Sequence, residues 1–215
     1  MKQDSDKKEL VLNSGSEGKE PNSGSEGIRD IKLEKSVKLY HASETRISFP
    51  DLKRGRKNAD FGQGFYLSPD YDFVTKWAVA NAYINEYELN LSGLKIVEFN
   101  RSKDWLHYIL NNRKLKDGLD ADVIIGPISN DTIFDTFGII GTGYLSDDEL
   151  LSLLMVGPEY KQLVIKTEKA RSNLTFVEAK VFKNYEKTRS ELKIEEEEYQ
   201  KEFAEKMTQI VDTDD

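Results

Sequence analysis

The sequence contains no cysteine and only two histidines. The lack of cysteine excludes a disulfide-stabilised fold, thiolate catalysis and any cysteine-ligated zinc or iron–sulfur centre. Two histidines without cysteine supply few of the ligands that transition metals prefer, so we expect no such metal site.

Long hydrophobic runs and a surplus of positive charge are also missing. No run approaches the roughly 18 apolar residues of a membrane-spanning helix, and the first ten residues, MKQDSDKKEL, lack the apolar centre of a secretory signal. The formal net charge of -8 disfavours nucleic-acid binding through neutralised phosphates. We therefore expect a cytoplasmic protein that engages no membrane, with nucleic acid an unfavoured partner.

Composition divides the 215 residues into three segments. Residues 1–36 repeat the hexapeptide NSGSEG at 13–18 and 22–27, and this Gly/Ser/Glu-rich text predicts a flexible leader. Residues 37–182 contain both tryptophans and nine of the ten phenylalanines, which predicts a single folded domain. Residues 183–215 carry 11 acidic and 6 basic side chains, which predicts an acidic C-terminal helix and tail.

Apolar residues in the C-terminal segment recur at helical spacing. They form one stripe along a helix, with acidic residues 195–198 on the solvated side. Such a stripe can pack on the folded domain or meet a partner helix, so self-association through 183–210 is an open alternative. The stripe consists of Tyr185, Leu192, Tyr199, Phe203, Met207 and Ile210.

The domain mixes strands and helices without the regular alternation of a doubly wound sheet, so we expect an α+β fold. The turn at 68–70 predicts a helix that runs to about Tyr87, and Ser146 with Glu149 predicts a capping box at the start of a later helix. A shorter helix is predicted at 104–110. Strands are predicted at 37–41, 94–99, 122–125, 162–168 and 174–182, with a glycine turn leading into a further strand at 61–67.

Three ordered motifs follow the segment LYHAS at 39–43. They read GRKNADFGQGFY at 55–66, IGPISND at 125–131 and QLVIKTEKA at 162–170. The segment with Gly62 and Gly64 lacks the third glycine and the Lys-Ser/Thr pair of a phosphate-binding loop. It also leads into a strand and not a helix, which disfavours a phosphate-binding loop. Together the segments resemble the ADP-ribosyltransferase superfamily, and more narrowly the bacterial domain-of-unknown-function family 3990. The resemblance covers roughly residues 38–178.

The resemblance implies an ADP-ribosyltransferase-like split β-sandwich with flanking helices and a cleft that holds NAD. Carried over by position, His41 hydrogen-bonds the adenosine ribose and the backbone of Ala42 grips the nicotinamide amide, with Ser43 beside them. Tyr66 stacks on the nicotinamide ring, and Trp77 covers its other face. Tyr71 and Phe73 are the alternatives to Trp77.

Glycines and arginines before the second strand complete the predicted cofactor site. Gly62 and Gly64 allow a sharp turn and a close approach of the backbone to the ligand. Arg56, with Arg54 beside it, is placed to meet the NAD pyrophosphate. Asn130 and Asp131 follow a buried strand and are open to a binding or a turn-forming role, whereas His107 reads as structural.

The chain departs from the superfamily at Gln162, where the resemblance implies a catalytic carboxylate. An amide can hydrogen-bond a ribose hydroxyl but offers no charge to the sugar cation of the transition state. Glu168 lies about 20 Å further along a regular strand, while Glu159 lies in a preceding loop and can swing in. Three options follow: an amide-type transferase, a transferase with a borrowed carboxylate, or a domain that only binds.

We therefore expect an NAD-dependent ADP-ribosyltransferase that modifies an unidentified macromolecule, with His41, Tyr66 and Gln162 as its catalytic candidates. A catalytically silent module that binds NAD or ADP-ribose is the alternative. Ribose-phosphate transfer on RNA is a third possibility, which the acidic charge and the lack of a basic stripe disfavour.

Overall fold

The computed structural model describes residues 35–116, 118–129 and 145–213. The predicted leader up to residue 34, together with Asn130 and Asp131, lies outside the described residues. The described chain is a mixed α+β fold with two sheets and five α-helices, so the α+β part of the predicted fold class is confirmed.

The first sheet has three antiparallel strands in the order β1-β3-β7. They are β1 (Ser36–Ser43), β3 (Tyr83–Asn90) and β7 (Leu174–Val181). Tyr87 and Leu89 lie two residues apart on β3, so they face the same side of the sheet, and both are fully buried. The middle strand therefore anchors this sheet to the interior.

The second sheet has four strands in the order β2-β6-β5-β4. Its central strands, β5 (Val123–Pro127) and β6 (Lys161–Ile165), are antiparallel and supply much of the core. The edge strands β2 (Phe65–Leu67) and β4 (Ile96–Glu98) are three residues long. The continuous apolar run of β5 is buried on both faces.

A backbone bridge between Tyr40 and Ser68 joins the two sheets. The Tyr40 N–H donates to the carbonyl of Ser68 at 2.8 Å, and the Ser68 N–H donates back to the carbonyl of Tyr40 at 3.0 Å. Because Tyr40 lies on β1 and Ser68 follows β2, this bridge sets the two strand ends side by side. The candidate site lies next to it.

Four of the five described helices begin at side-chain caps. Asp70, Ser102, Ser146 and Thr167 each accept a hydrogen bond from a backbone N–H of the following turn. The predicted capping box of Ser146 and Glu149 is confirmed. The helices are α1 (Tyr71–Lys76), α2 (Lys103–Arg113), α3 (Asp147–Leu154), α4 (Glu168–Ser172) and α5 (Tyr185–Thr213), with a 3-10 turn at Leu52–Arg54.

Two predicted elements have different lengths in the structure. The helix expected to reach Tyr87 ends at Lys76, because the segment from Tyr83 pairs on both sides as the middle strand β3. Asn81 takes a φ of 62° in the connecting turn, a conformation that asparagine tolerates. The strand expected over 162–168 ends at Ile165, and Thr167 caps the short helix α4 instead.

Helix α5 packs on the domain through part of the predicted stripe. Tyr199, Phe203 and Ile210 are buried in a cluster with Leu153 of α3. Self-association through 183–210 stays a prediction, since this cluster forms within one chain. No helix within 35–116, 118–129 and 145–213 has the length and apolarity needed to cross a membrane.

Replacing Gly64 by alanine should destabilise the loop that enters β2. An added Cβ would lie 2.5 Å from the carbonyl oxygen of Ile165 and 2.6 Å from Cγ2 of Val164, so strand β6 would have to move. Thermal unfolding should show that the free energy of unfolding falls by about 1–3 kcal/mol. Gly118→Ala is the matched control, because a Cβ there meets no heavy atom within 4 Å; equal losses in both variants would contradict this account.

Candidate functional site

A cavity of about 670 Å³ opens beside the bridge between the two sheets. This volume lies within the roughly 300–1,000 Å³ of small-molecule sites. Residues from β1, β2, α1 and the loop before β2 form most of its wall, and α2 and β6 contribute one residue each. The lining consists of Tyr40, His41, Ala42, Arg56, Asn58, Ala59, Asp60, Tyr66, Leu67, Ser68, Phe73, Val74, Trp77, Arg113, Ile128 and Gln162.

His41 lines this cavity, and one hydrogen bond defines its tautomer. Its Nδ1 lies 2.8 Å from the carbonyl oxygen of Tyr66, so Nδ1 must carry the proton and donate. Burial lowers the pKa of His41 below its usual value of 6.5, against the opposing effect of this hydrogen bond. The imidazole is therefore neutral at pH 7, and Nε2 is a hydrogen-bond acceptor.

Tyr66 has its hydroxyl committed to the glycine loop. The hydroxyl donates to the carbonyl of Gly62 at 2.7 Å and accepts from the N–H of Phe61 at 3.0 Å. Gly62 has a φ of 72°, which makes this turn possible. Tyr66 belongs to the cavity lining that the described residues form, whereas Gly62 and Gly64 lie outside it.

An exposed indole stands at one side of the cavity. Trp77 caps the end of α1 and keeps 48% of its surface exposed, while Phe73 packs edge-on against it with ring centroids 6.3 Å apart. Phe73 in turn stacks on Tyr160 at 4.7 Å. Of the alternatives to Trp77, Phe73 also lines the cavity, whereas Tyr71 packs edge-on against Tyr40 outside the described lining.

Helix α5 braces the same aromatic wall from behind. Tyr160, which stacks on Phe73, donates its hydroxyl hydrogen bond to Glu195 at 2.7 Å, and Lys76 pairs with the same carboxylate. Burial and the carboxylate raise the pKa of Tyr160, so its hydroxyl stays protonated and donates. The C-terminal helix is therefore connected to the cavity through α1.

Ser43 lies just outside the cavity, at the end of β1. Its hydroxyl donates to the carbonyl of Thr45 and accepts from Nδ2 of Asn85 at 3.1 Å. Asn85 is fully buried, and its Oδ1 accepts from the N–H of Ile47 at 2.8 Å. This asparagine fixes the chain after β1, a role that a single polar residue in a strand does not reveal.

Asp60 is the residue of the cavity whose role sequence reasoning missed. Its carboxylate is buried, and Arg113 donates to it at 2.7 Å across an ion pair. The same carboxylate accepts from the N–H of Ser129 at 3.0 Å and lies 3.4 Å from Nε2 of Gln162. A carboxylate therefore does stand beside Gln162, and it comes from the glycine motif.

The carboxylates considered from the sequence lie elsewhere. Glu159 is 3.9 Å from Arg101, and Glu168 lies on α4, paired with Arg171. Both fall outside the described lining of the cavity. Arg56 is exposed and lines the cavity, Arg54 does not belong to its described wall, and the exposed His107 bonds to Asp147 at 2.6 Å between α2 and α3.

The fold and cavity define a two-sheet α+β protein with a cleft at the sheet junction. Residues 37–176 match the family described as "Protein of unknown function (DUF3990)", and the chain belongs to this family. No curated protein and no solved structure shows significant similarity to the chain.

Removing the Tyr66 hydroxyl should loosen the glycine loop without removing the ring. Tyr66→Phe leaves the N–H of Phe61 and the carbonyl of Gly62 without this partner, so the free energy of unfolding should fall by about 1–3 kcal/mol. Chemical denaturation measures the loss. Tyr71→Phe is the control, since its ring is half exposed; an unchanged stability of Tyr66→Phe would show that the hydroxyl does not anchor the loop.

His41 should make the protein less stable in mild acid. Because its pKa is lowered on folding, the unfolded chain binds the extra proton, and stability falls as the pH drops below about 6.5. The contribution is at most about 1.4 kcal/mol per pH unit. Thermal unfolding between pH 5 and 8 should show a shallower slope in His41→Gln than in His107→Gln, and equal slopes in the two variants would refute the prediction.

Proposed function

We propose that this chain is an NAD-dependent ADP-ribosyltransferase with an ADP-ribosyltransferase-like split β-sandwich, acting on a macromolecular acceptor. One observation carries the proposal: a neutral histidine, an aromatic pair and a carboxylate–amide pair share one cavity. These groups are His41, Tyr66 with Trp77, and Asp60 with Gln162. Each has a matching chemical feature in NAD.

The aromatic side chains suit the flat, cationic nicotinamide ring. The ring of Tyr66 and the half-exposed indole of Trp77 line the same cavity. A cation held against such faces gains about 0.5–2 kcal/mol beyond its buried area. The backbone of Ala42 lies in the same wall and can bond the carboxamide of the ring.

The polar groups suit the sugars and the pyrophosphate. Nε2 of His41 accepts a hydrogen bond from a ribose hydroxyl, and the exposed guanidinium of Arg56 meets the phosphates. In the reaction the bond from C1′ to nicotinamide breaks and nicotinamide leaves with the electron pair. The acceptor then bonds C1′ and loses a proton.

The positive charge that develops on the sugar needs a nearby negative group. Asp60, beside Gln162, is better placed for this than Glu159 or Glu168, because it lines the cavity. Of the three options left open by the sequence, this favours a transferase with a borrowed carboxylate.

The Arg113 ion pair favours a second function. The guanidinium offsets the charge of Asp60 at 2.7 Å, which weakens its support for a sugar cation. A module that binds NAD or ADP-ribose without transfer is therefore the alternative. Nicotinamide release from NAD separates the two functions, since only a transferase or hydrolase releases it.

Calorimetric titration of NAD into the full chain tests the proposal. The full chain is needed because α5 covers Leu153 and braces α1. Trp77→Ala should weaken binding by about tenfold or more, as expected from the loss of a stacked aromatic. Phe49→Ala is the matched control, an exposed aromatic outside the described cavity wall. A wild-type chain that does not bind NAD, or two variants with equal affinity, would overturn the proposal.

A further inference from the structure

The amide of Gln162 has two chemically different ends, and its surroundings distinguish them. Nε2 lies 3.4 Å from Oδ2 of Asp60. The carboxylate of Asp60 forms an ion pair with Arg113 and accepts the N–H of Ser129 at 3.0 Å. An ionised carboxylate only accepts hydrogen bonds, so the group of Gln162 that faces it must be the donating NH₂.

The orientation of the amide determines what the cavity receives. With Nε2 directed at Asp60, the other end of the amide, Oε1, is the group left for the cavity that Gln162 lines. We propose that Asp60 is a positioning residue, which holds the Gln162 amide so that Oε1 accepts a hydrogen bond from a ribose hydroxyl of the ligand. This inference rests on the proposed function.

The arrangement gives the cavity a preference for hydroxyl donors. Nε2 of His41 accepts because Nδ1 donates to the chain, and Oε1 of Gln162 accepts because Nε2 donates to Asp60. Both acceptors are set by hydrogen bonds inside the protein before any ligand binds. A nucleotide with free ribose hydroxyls satisfies them, whereas an anionic group in the same place meets two lone pairs.

The same geometry predicts an unusual response to Gln162→Glu. By residue type alone this change restores the carboxylate of the superfamily and should favour the reaction. Beside Asp60, however, it places two carboxylates together, and the pair takes up a proton more readily than either group alone. At neutral pH, where the shared proton is lost, the two carboxylates repel each other, so NAD affinity should fall by about tenfold or more. The affinity should recover toward pH 5, where the pair holds a proton.

The double variant Asp60→Asn with Gln162→Glu exchanges the amide and the carboxylate. The asparagine can then donate to the glutamate, so the mutual repulsion disappears and the pH dependence of binding returns to that of the wild-type chain. The Ser129 N–H and Arg113 lose part of their acceptor, which lowers stability. The comparison therefore uses the coupling between the two changes rather than their absolute affinities.

Other titratable and charged groups face the cavity and set the reference. They are His41 on β1, Arg56 on the loop, Arg113 on α2, and the tyrosines at 40 and 66. The wild-type chain carries all of them, so its own pH profile is subtracted. Gln200→Glu, the same chemical change on the exposed side of α5, controls for the added charge.

The experiment measures NAD affinity and ligand-free thermal unfolding of the full-length variants between pH 5 and 8. In Gln162→Glu the shared proton is lost as the pH rises, so its stability deficit relative to the wild type should grow from pH 5 to pH 8. The double variant should not show this growth. A deficit and an affinity that do not change with pH, or tighter NAD binding by Gln162→Glu at neutral pH, would overturn the positioning role.

The two readouts separate this inference from the proposed function. If the wild-type chain fails to bind NAD, the proposed function is wrong, and there is no ribose hydroxyl from which Gln162 could accept a hydrogen bond. The pH-dependent stability of the ligand-free variants still decides whether Asp60 orients the amide. Coupling without NAD binding would support the orientation and reject the ligand.

Discussion

The cavity depends on the hydrogen bonds that the buried carboxylate of Asp60 accepts. Through this carboxylate the glycine loop is bound to Arg113 of α2, to the chain after β5 at Ser129 and to Gln162 of β6. The backbone carbonyl of Asp60 also accepts a hydrogen bond from Nδ2 of Asn112. Removing one partner of such a pair leaves an uncompensated buried charge, which is costly. Asp60 thus holds four separate parts of the chain together beside the cleft.

Hydrogen bonds between the two sheets shape another part of the cleft. There the bridge between Tyr40 and Ser68 joins the sheets, and His41 is tied to Tyr66 by its ring nitrogen. Hydrogen bonds within the protein thus fix Nδ1 of His41 and the hydroxyl of Tyr66. Side chains fixed in this way would lose little conformational entropy on binding the proposed ligand.

Local patterns in the sequence predicted the parts of the fold that depend on neighbouring residues. The capping box at Ser146, the strand at 37–41 and the stripe on α5 are of this kind. The predicted length of α1 was wrong, because the pairing of β3 with distant strands outweighed the helical spacing of apolar residues in this segment. Asp60 and Arg113 are 53 residues apart, and Asp60 and Gln162 are 102 apart, so no local pattern could predict their contact.

We propose that NAD occupies the cleft with its nicotinamide half against Trp77. The chain has two tryptophans, and Trp105 is fully buried with its indole N–H bonded to the carbonyl of Pro127. A ¹⁵N-labelled full-length protein therefore gives one indole signal from the cavity and one from the core. Titration with NAD should shift the Trp77 indole signal saturably and the Trp105 signal much less. A Trp77 signal that does not move at saturating NAD would contradict the account.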